Sequence, residues 1–300
     1  MVVAFTAVGC GGGGSDGGGT ISADGSSTVG PYMTAAAEEF QKENADSRIT
    51  VGVSGTGGGF ERFCRGETDI SNASRPIKEE EADICRENGV EYVEFQIAND
   101  ALTVVVNQEN DWATCLTIGE LNAIWKPGSK IGNWDQVRDG FPDVALKLFG
   151  PGTDSGTFDY FTDEVNGEEG ASRTDYAASE DDNVIVQGVS GEKGGLGYLG
   201  FSYYEQNEDD LNAVEIDGGA GCVAPSVETA QDGSYTPLSR PLYVYVKTTS
   251  FAQPAVEEFI GHVLDNEAAI AEKVGFVPLN DAQLAQAKDD FATAVNEAKS

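Results

Sequence analysis

Apolar and polar positions follow two rhythms along the chain. TISADG (20–25), RITVGVSG (48–55) and TDISNAS (68–74) are short strand-like runs bounded by Gly, Ser and Asp. Between them, PYMTAAAEEFQKEN, GGFERFCRG (58–66) and KEEEADICREN (78–88) repeat their apolar residues at helical spacing. Pro31 is expected to open the first helix, where its missing N–H costs nothing, and Gly66 to close the second. VEYVEFQIA (90–98) and ALTVVVN (101–107) read as two further strands. A β-α-β-α order with short connections predicts a mainly parallel sheet covered by helices.

The rhythm restarts at Asp111. TIGELNAIW (117–125) is helical, ALKLFG (145–150) a strand and TFDYFTDEV (157–165) a helix. GLGYLGFSYY (195–204) and RPLYVYVK (240–247) read as strands, and two amphipathic helices, at about 254–273 and 281–298, finish the chain. Polar, Gly-rich patches near 128–133 and 217–235 are expected to be loops. ALTVVVN and RPLYVYVK are the natural crossovers between two α/β lobes. Lobe I is then discontinuous, 20–105 plus 243–300, and lobe II is the insert 106–242. Two lobes joined by two extended segments make a hinged clamshell that closes around a ligand.

Charge narrows the possibilities. The 300 residues carry 51 Asp+Glu against 18 Lys+Arg, a formal net charge of −33. That repels polyanions, so nucleic acid is excluded as a partner. The acids are spread along the chain, and at ~1 M salt, where the Debye length is ~3 Å, their repulsion is screened. A protein made for molar salt fits this pattern; an ordinary acidic protein is the plainer alternative. The one histidine, His262, argues against a multi-histidine metal site or a Ser-His-Asp machine and reads as a plain helix residue. No metal or cofactor is expected.

Residues 1–9, MVVAFTAVG, precede Cys10 and the run GGGGSDGGG. The stretch resembles a lipobox, although it lacks a charged n-region and is short for an h-region. Cys10 is therefore expected to carry a lipid, with the Gly-rich run as a flexible tether and residues 1–19 outside the fold. No window approaches the ~18 apolar residues of a spanning helix. The expectation is a monomeric lipoprotein held at the outer face of the membrane. Cys64, Cys85, Cys115 and Cys222 remain, and none forms C-x-x-C. An even number suits two disulfides in an oxidising compartment. Of three possible pairings, Cys64–Cys85 links neighbouring helices and leaves Cys115–Cys222 for a long loop; four buried thiols are the alternative.

Three strand-to-helix turns share one composition: Gly25-Ser26-Ser27-Thr28-Val29-Gly30, Ser54-Gly55-Thr56-Gly57-Gly58-Gly59 and Gly150-Pro151-Gly152-Thr153-Asp154-Ser155-Gly156-Thr157. Each places hydroxyls and bare backbone at a helix N-terminus, where unsatisfied N–H groups and the positive dipole end favour an anion. Any one of them alone would be an ordinary N-cap. Three together, at the carboxyl ends of parallel strands, suit a small tetrahedral oxyanion held between lobes. No G-x-x-x-x-G-K-[ST] or G-x-S-x-G occurs, and no nucleophile–base pair suggests an enzyme. Gly195-x-Gly197-x-x-Gly200 lies inside a strand with no helix expected after it, so it reads as structural.

GSSTVGP, SGTGGGFERF, GETDISNASRPI, LFGPGTDSGTFDYF and the closing VGFVPL, in that order, resemble the phosphate-binding proteins of the ABC phosphate importer, the PstS family. The resemblance runs from about residue 20 to the C-terminus. It implies a type II periplasmic-binding-protein fold, dehydrated inorganic phosphate as ligand and a membrane ABC permease as partner. Sulfate, arsenate or phosphonate, or a clamshell phosphatase, are the alternatives. The family's phosphate contacts map onto Ser27, Thr28 and Val29, onto Thr56 with Gly57, and onto Ser155, Gly156 and Thr157. Two positions depart from the best-known branch of the family. Arg75 stands where a carboxylate takes the phosphate proton, and Pro151 stands where an arginine is usual. The resemblance then makes Arg75 the phosphate's guanidinium fork, and Asp154 either the proton acceptor or the partner that orients Arg75.

Overall fold

The computed structural model describes residues 19–299; Cys10 and residues 11–18 of its Gly-rich run lie outside them, while Gly19, expected outside the fold, already accepts the Arg48 N–H at 2.9 Å. The first lobe begins β1 (Thr20–Gly25), α1 (Val29–Glu43), β2 (Arg48–Val51), α2 (Gly55–Cys64), β3 (Ile70–Ala73) and α3 (Glu79–Glu87). β1 pairs in parallel with β2 and β3. α1 starts two residues before Pro31 and buries Val29, Tyr32, Met33, Ala36 and Phe40, which share one helical face. α2 starts among its glycines, three residues earlier than its apolar pattern suggests.

β4 (Tyr92–Asn107) runs without a break where two strands were expected. The polar pair Asn99–Asp100 that suggests a break has its partners across the sheet. Asn99 exchanges backbone hydrogen bonds with Val277, and Asp100 meets Arg240. The lobe II elements are β5 (Cys115–Thr117), α4 (Ile118–Trp125), β6 (Lys147–Gly150), α5 (Gly156–Asn166), β7 (Ala177–Ala178), α6 (Asp182–Gly191), β8 (Gly195–Gly200), α7 (Phe201–Glu205), β9 (Leu211–Ala213), β10 (Glu215–Asp217), β11 (Cys222–Val223) and α8 (Val227–Gln231). The chain returns through β12 (Ser239–Lys247) and ends with α9 (Pro254–Asp265), α10 (Glu267–Lys273) and α11 (Asp281–Ala298).

The main sheet has the order β2-β1-β3-β12-β4-β8-β6-β7, with β9 also on β4. Residues 92–101 of β4 pair with β12, and residues 102–107 pair with β8 and β9. β4 thus carries the chain from one lobe into the other. β12 lies wholly beside β3 and the first half of β4, so the return crossing is made just before it. Tyr235 and Leu238 are still packed in the lobe II core. Lobe I buries one sheet face under α1, α9, α10 and α11, and the other around Phe60, Phe63 and Tyr245. The lobe II core centres on Trp125, Trp134, Phe161 and Tyr198, the last two stacked 3.8 Å apart.

Both disulfides pair as expected. Cys64–Cys85 ties α2 to α3, and Cys115–Cys222 joins the outer strands of the small sheet β11-β10-β5. Three sequence expectations need correction. GLGYLGFSYY is half strand and half helix, because α7 follows Gly200 directly. Its glycines still serve packing: a Cβ on Gly197 would lie 2.9 Å from both the Phe149 carbonyl and a Val189 methyl. The helix expected over 254–273 is divided at Asn266, whose backbone and side-chain N–H groups both donate to the His262 carbonyl and close α9. The patch 217–235 is not all loop, since it holds β11 and α8. No helix among the described residues is long and apolar enough to cross a membrane.

Candidate anion-binding cleft

Two glycines bring the first two turns together. Gly25 has φ +141°, and a Cβ there would sit 2.2 Å from the Asn72 carbonyl oxygen. A Cβ on Gly59 would sit 2.5 Å from the Gly25 Cα. The first turn of α2 therefore lies directly on the end of β1, beside the start of α1, at a distance no other residue permits.

In the first turn, Ser26 supplies the local bonds. Its carbonyl accepts the Gly30 N–H, and its hydroxyl faces the Val29 N–H at 3.4 Å. Thr28, at the N-cap of α1, makes no capping bond; its Oγ1 instead accepts a hydrogen bond from Arg240 Nη2 at 3.0 Å. In the second turn, Thr56 Oγ1 accepts the Ser74 N–H at 3.2 Å and lies 3.0 Å from Ser74 Oγ. In the third, Ser155 Oγ caps α5 by accepting the Thr157 N–H at 3.2 Å. Gly156 abuts the first turn: a Cβ there would be 3.2 Å from Thr28 Oγ1. Helix N-termini from the two lobes thus meet.

Beside this meeting point lies a cavity of about 490 Å³. From lobe I it is lined by Ser27, Thr28, Thr56, Gly57, Ser74, Arg75 and Lys78. From lobe II it is lined by one face of α5, where Asp159, Tyr160, Asp163 and Glu164 recur at helical spacing, and by Glu169 beyond it. Arg240, at the start of β12, completes the wall. Burial pushes the Asp159 carboxyl above its ordinary range and Glu169 adds to this, while Arg240 pulls it back.

Five expected residues are placed differently. Val29 is fully buried in the lobe I core and lines no part of the cavity. Asp154 is exposed, sits outside the lining and contacts neither Arg75 nor the cavity, because Ser155 as N-cap turns the preceding residue outward. Ser155 Oγ accepts the Thr157 N–H at the helix start, and neither residue lines the cavity. Arg75 lines the cavity, but its fork is closed by Glu81: Nη1 donates to Oε2 at 2.8 Å and Nη2 to Oε1 at 2.7 Å. Burial alone would raise the Glu81 carboxyl; the bonds from Arg75 and the Lys78 N–H hold it below its ordinary range instead.

Sequence reasoning missed Arg240 and its partner Asp100. Their side chains are 18% and 14% exposed, and Arg240 Nε and Nη2 both donate to Asp100 Oδ2 at 3.2 Å. Burial raises the Asp100 carboxyl and the guanidinium draws it back down. The one signal available was an arginine heading the strongest strand of the second half, immediately before a proline.

A family model described as a PBP superfamily domain matches residues 12–267. Protein SphX of Synechococcus elongatus is 49% identical over 262 residues, which cover 86% of this chain and 77% of that protein. The phosphate-binding protein PstS of Staphylococcus saprophyticus is 42% identical over 276 residues, 90% of this chain and 85% of the other. Among solved structures, a possible phosphate binding protein from Planctomyces limnophilus superimposes with a TM-score of 0.89 at 45% identity, covering 93% of this chain and 99% of that one. A two-lobed fold crossed by β4, with helix N-termini meeting in the cleft, and relatives matched along most of their length lead to one conclusion: the chain belongs to the PBP superfamily and, within it, to the PstS family of phosphate-binding proteins.

Proposed function

We propose that this protein is the phosphate receptor of an ABC importer: it takes one inorganic phosphate into the cleft and hands it to a membrane permease. The observation that carries this reading is the cavity where the first turns of α1 and α2 face α5. Phosphate oxygens need donors, and this wall offers helix N–H groups, the hydroxyls of Ser27, Thr28, Thr56 and Ser74, and a guanidinium. Neutral donors together with the cationic side chains of Arg75, Lys78 and Arg240 can replace an anion's water shell. The α5 carboxylates serve the other need, since phosphate near neutral pH still carries a proton that one of them can accept. Sulfate carries none. The relatives support the same ligand: the Staphylococcus proteins are named phosphate-binding proteins PstS, and a Clostridium perfringens putative phosphate ABC transporter substrate-binding protein, 27% identical, was solved with bound phosphate.

In this proposal the hinge lies where β4 exchanges partners, between Ala101 and Leu102, and the lobes run close to 20–105 plus 243–300 and 106–242. Tethering through a lipid on Cys10, an extracellular site of action and a monomeric state belong to the same proposal. Calorimetric titration of the purified protein with phosphate and sulfate tests it. One-to-one phosphate binding, at least 100-fold tighter than sulfate, is expected. Sulfate binding as tightly as phosphate, or release of product from a chromogenic phosphoester, would replace it with a general oxyanion receptor or a phosphatase.

A further inference from the structure

We propose that Arg240 is the guanidinium that grips the bound anion, and that Asp100 and Tyr160 hold it in position. This rests on the phosphate-receptor reading above and deepens it, because the arginine expected from the sequence was Arg75.

A guanidinium has five N–H donors. In Arg240, Nε and one hydrogen of Nη2 go to Asp100 Oδ2, and the other hydrogen of Nη2 goes to Thr28 Oγ1. The two hydrogens of Nη1 have no acceptor among the described residues, and the side chain lines the cavity. Arg75 also keeps two donors without an acceptor among the described residues, but they sit on different nitrogens, Nε and Nη2. Glu81 takes both prongs of its fork, and the Pro76 carbonyl accepts from Nη1 at 3.1 Å. Both arginines line the cavity; Arg240 differs in carrying both open hydrogens on one nitrogen, Nη1, at the end of the group away from Asp100, whereas both Nη atoms of Arg75 are held by Glu81.

The orientation of Arg240 is fixed in every direction. Its guanidinium carbon lies 3.5 Å from the centroid of the Tyr160 ring, which sets the plane of the group. Asp100 stands opposite Arg240 in the β4–β12 register, and its carboxylate sets the rotation within that plane. Tyr160 is itself anchored, with its hydroxyl donating to the Pro237 carbonyl at 2.6 Å. A donor group locked before the ligand arrives loses little entropy on binding. The Thr28 hydroxyl is oriented by the same device. Its oxygen accepts from Arg240, so its own proton points elsewhere, and no acceptor among the described residues takes it. Arg240 also touches both halves of the clamshell, Thr28 at the start of α1 and Tyr160 on α5. Gripping the anion and holding the lobes together are therefore one contact.

The test is phosphate titration by calorimetry, with thermal melts recorded with and without saturating phosphate. Arg240→Gln is expected to weaken phosphate about 100-fold or more, and Arg75→Gln less than about tenfold. Arg240→Lys keeps the charge without the fork and should recover only part of the loss. Because Arg240→Gln leaves Asp100 buried and unpaired, the double variant Arg240→Gln/Asp100→Asn removes the pair as a neutral unit. It is expected to melt cooperatively near the wild-type temperature yet show no upward shift with phosphate. Asp100→Asn alone keeps the guanidinium but frees its rotation, and should weaken phosphate about tenfold while changing the melt without phosphate little. Wild-type affinity in both Arg240→Gln and the double variant would overturn this inference alone, as would a larger loss in Arg75→Gln than in Arg240→Gln. A cooperatively folded wild type that takes no phosphate would overturn both this inference and the receptor reading.

Discussion

At the scale of single residues, the cleft separates groups that share a turn but not a role. Thr28 offers one oxygen to Arg240 and one proton to the cavity, so Thr28→Val removes both at nearly constant volume. A hydrogen bond to a charged group is worth about 1.5–3 kcal/mol, which predicts phosphate binding weakened about 10- to 150-fold with little change in melting temperature. Titration calorimetry reads this directly; wild-type affinity in the variant would remove Thr28 from the site. The proton acceptor is expected on α5, and Asp159 is the carboxylate of that face nearest the helix start. Asp159→Asn should lower the phosphate-to-sulfate ratio, and Asp154→Asn, on an exposed residue outside the lining, should leave it unchanged. A site that recognises a ligand hydroxyl through one acceptor can reject the analogue lacking it by ~10⁴–10⁵. An unchanged ratio in Asp159→Asn would move the acceptor elsewhere. Ser27, Thr28, Thr56 and Gly57 were legible in the sequence because a Gly, Ser and Thr turn before an apolar helix is a local signal. Arg240 was not, because its meaning depends on Asp100, which lies 140 positions away and is brought opposite only by the pairing of β4 with β12.

At the scale of elements, most strands and helices were legible because one face of each is apolar at the right period. Errors fell at polar residues: a pair whose partners lie far along the chain, and an asparagine that closes a helix locally. Asn99–Asp100 did not end β4, and Asn266 did end α9. The break at Asn266 has an energetic consequence. It turns Glu267, the first residue of α10, into the interior, where it is 1% exposed. One carboxylate oxygen accepts the Leu279 N–H at 2.9 Å; the other has no partner among the described residues, and neither does the buried hydroxyl of Tyr32. Burial pushes the Glu267 carboxyl from 4.5 up to about 7, the Leu279 bond pulls against this, and Glu272 adds to the rise. The folded value lies above the unfolded one, so the folded state binds the proton more tightly. The stability this group contributes is present below about pH 4.5 and is lost as pH rises through about 7. Glu267→Gln keeps an acceptor for Leu279 and removes the charge. It should therefore stabilise the protein by on the order of 2 kcal/mol at pH 8 and change it little at pH 5. Melting curves at the two pH values decide, and an equal effect at both would mean that Glu267 stays in one protonation state across this range.

At the scale of the whole molecule, a net charge of −33 surrounds a site proposed for an anion, and the two fields differ in range. Arg240, Lys78 and the helix N-termini act over a few ångströms inside the cleft. The surface acids act over a Debye length, ~10 Å at 0.1 M salt and ~3 Å at 1 M. Many ion pairs among the described residues are solvent-exposed couples such as Arg65–Glu61 and Lys288–Asp265, each worth little, so local pairing does not offset the excess of acids. Folding brings those acids closer together and is opposed by their repulsion. The melting temperature should therefore climb steeply as potassium chloride rises from 0.1 to about 1 M and more slowly beyond it, once screening is nearly complete. A flat curve from 0.1 to 3 M would mean that the acids lie too far apart to repel, and would end the reading of the chain as one made for molar salt while leaving its ligand untouched. The same separation of ranges fixes the kinetics of binding. An arriving phosphate meets the long-range field first, so its association rate should rise with salt, the reverse of a receptor steered by positive charge. Dissociation breaks contacts inside the cleft and should change far less. Stopped-flow rates at 0.1 and 1 M potassium chloride measure both, and an association rate that falls with salt would place the control of entry in the cleft's own cations instead of the molecule's net charge.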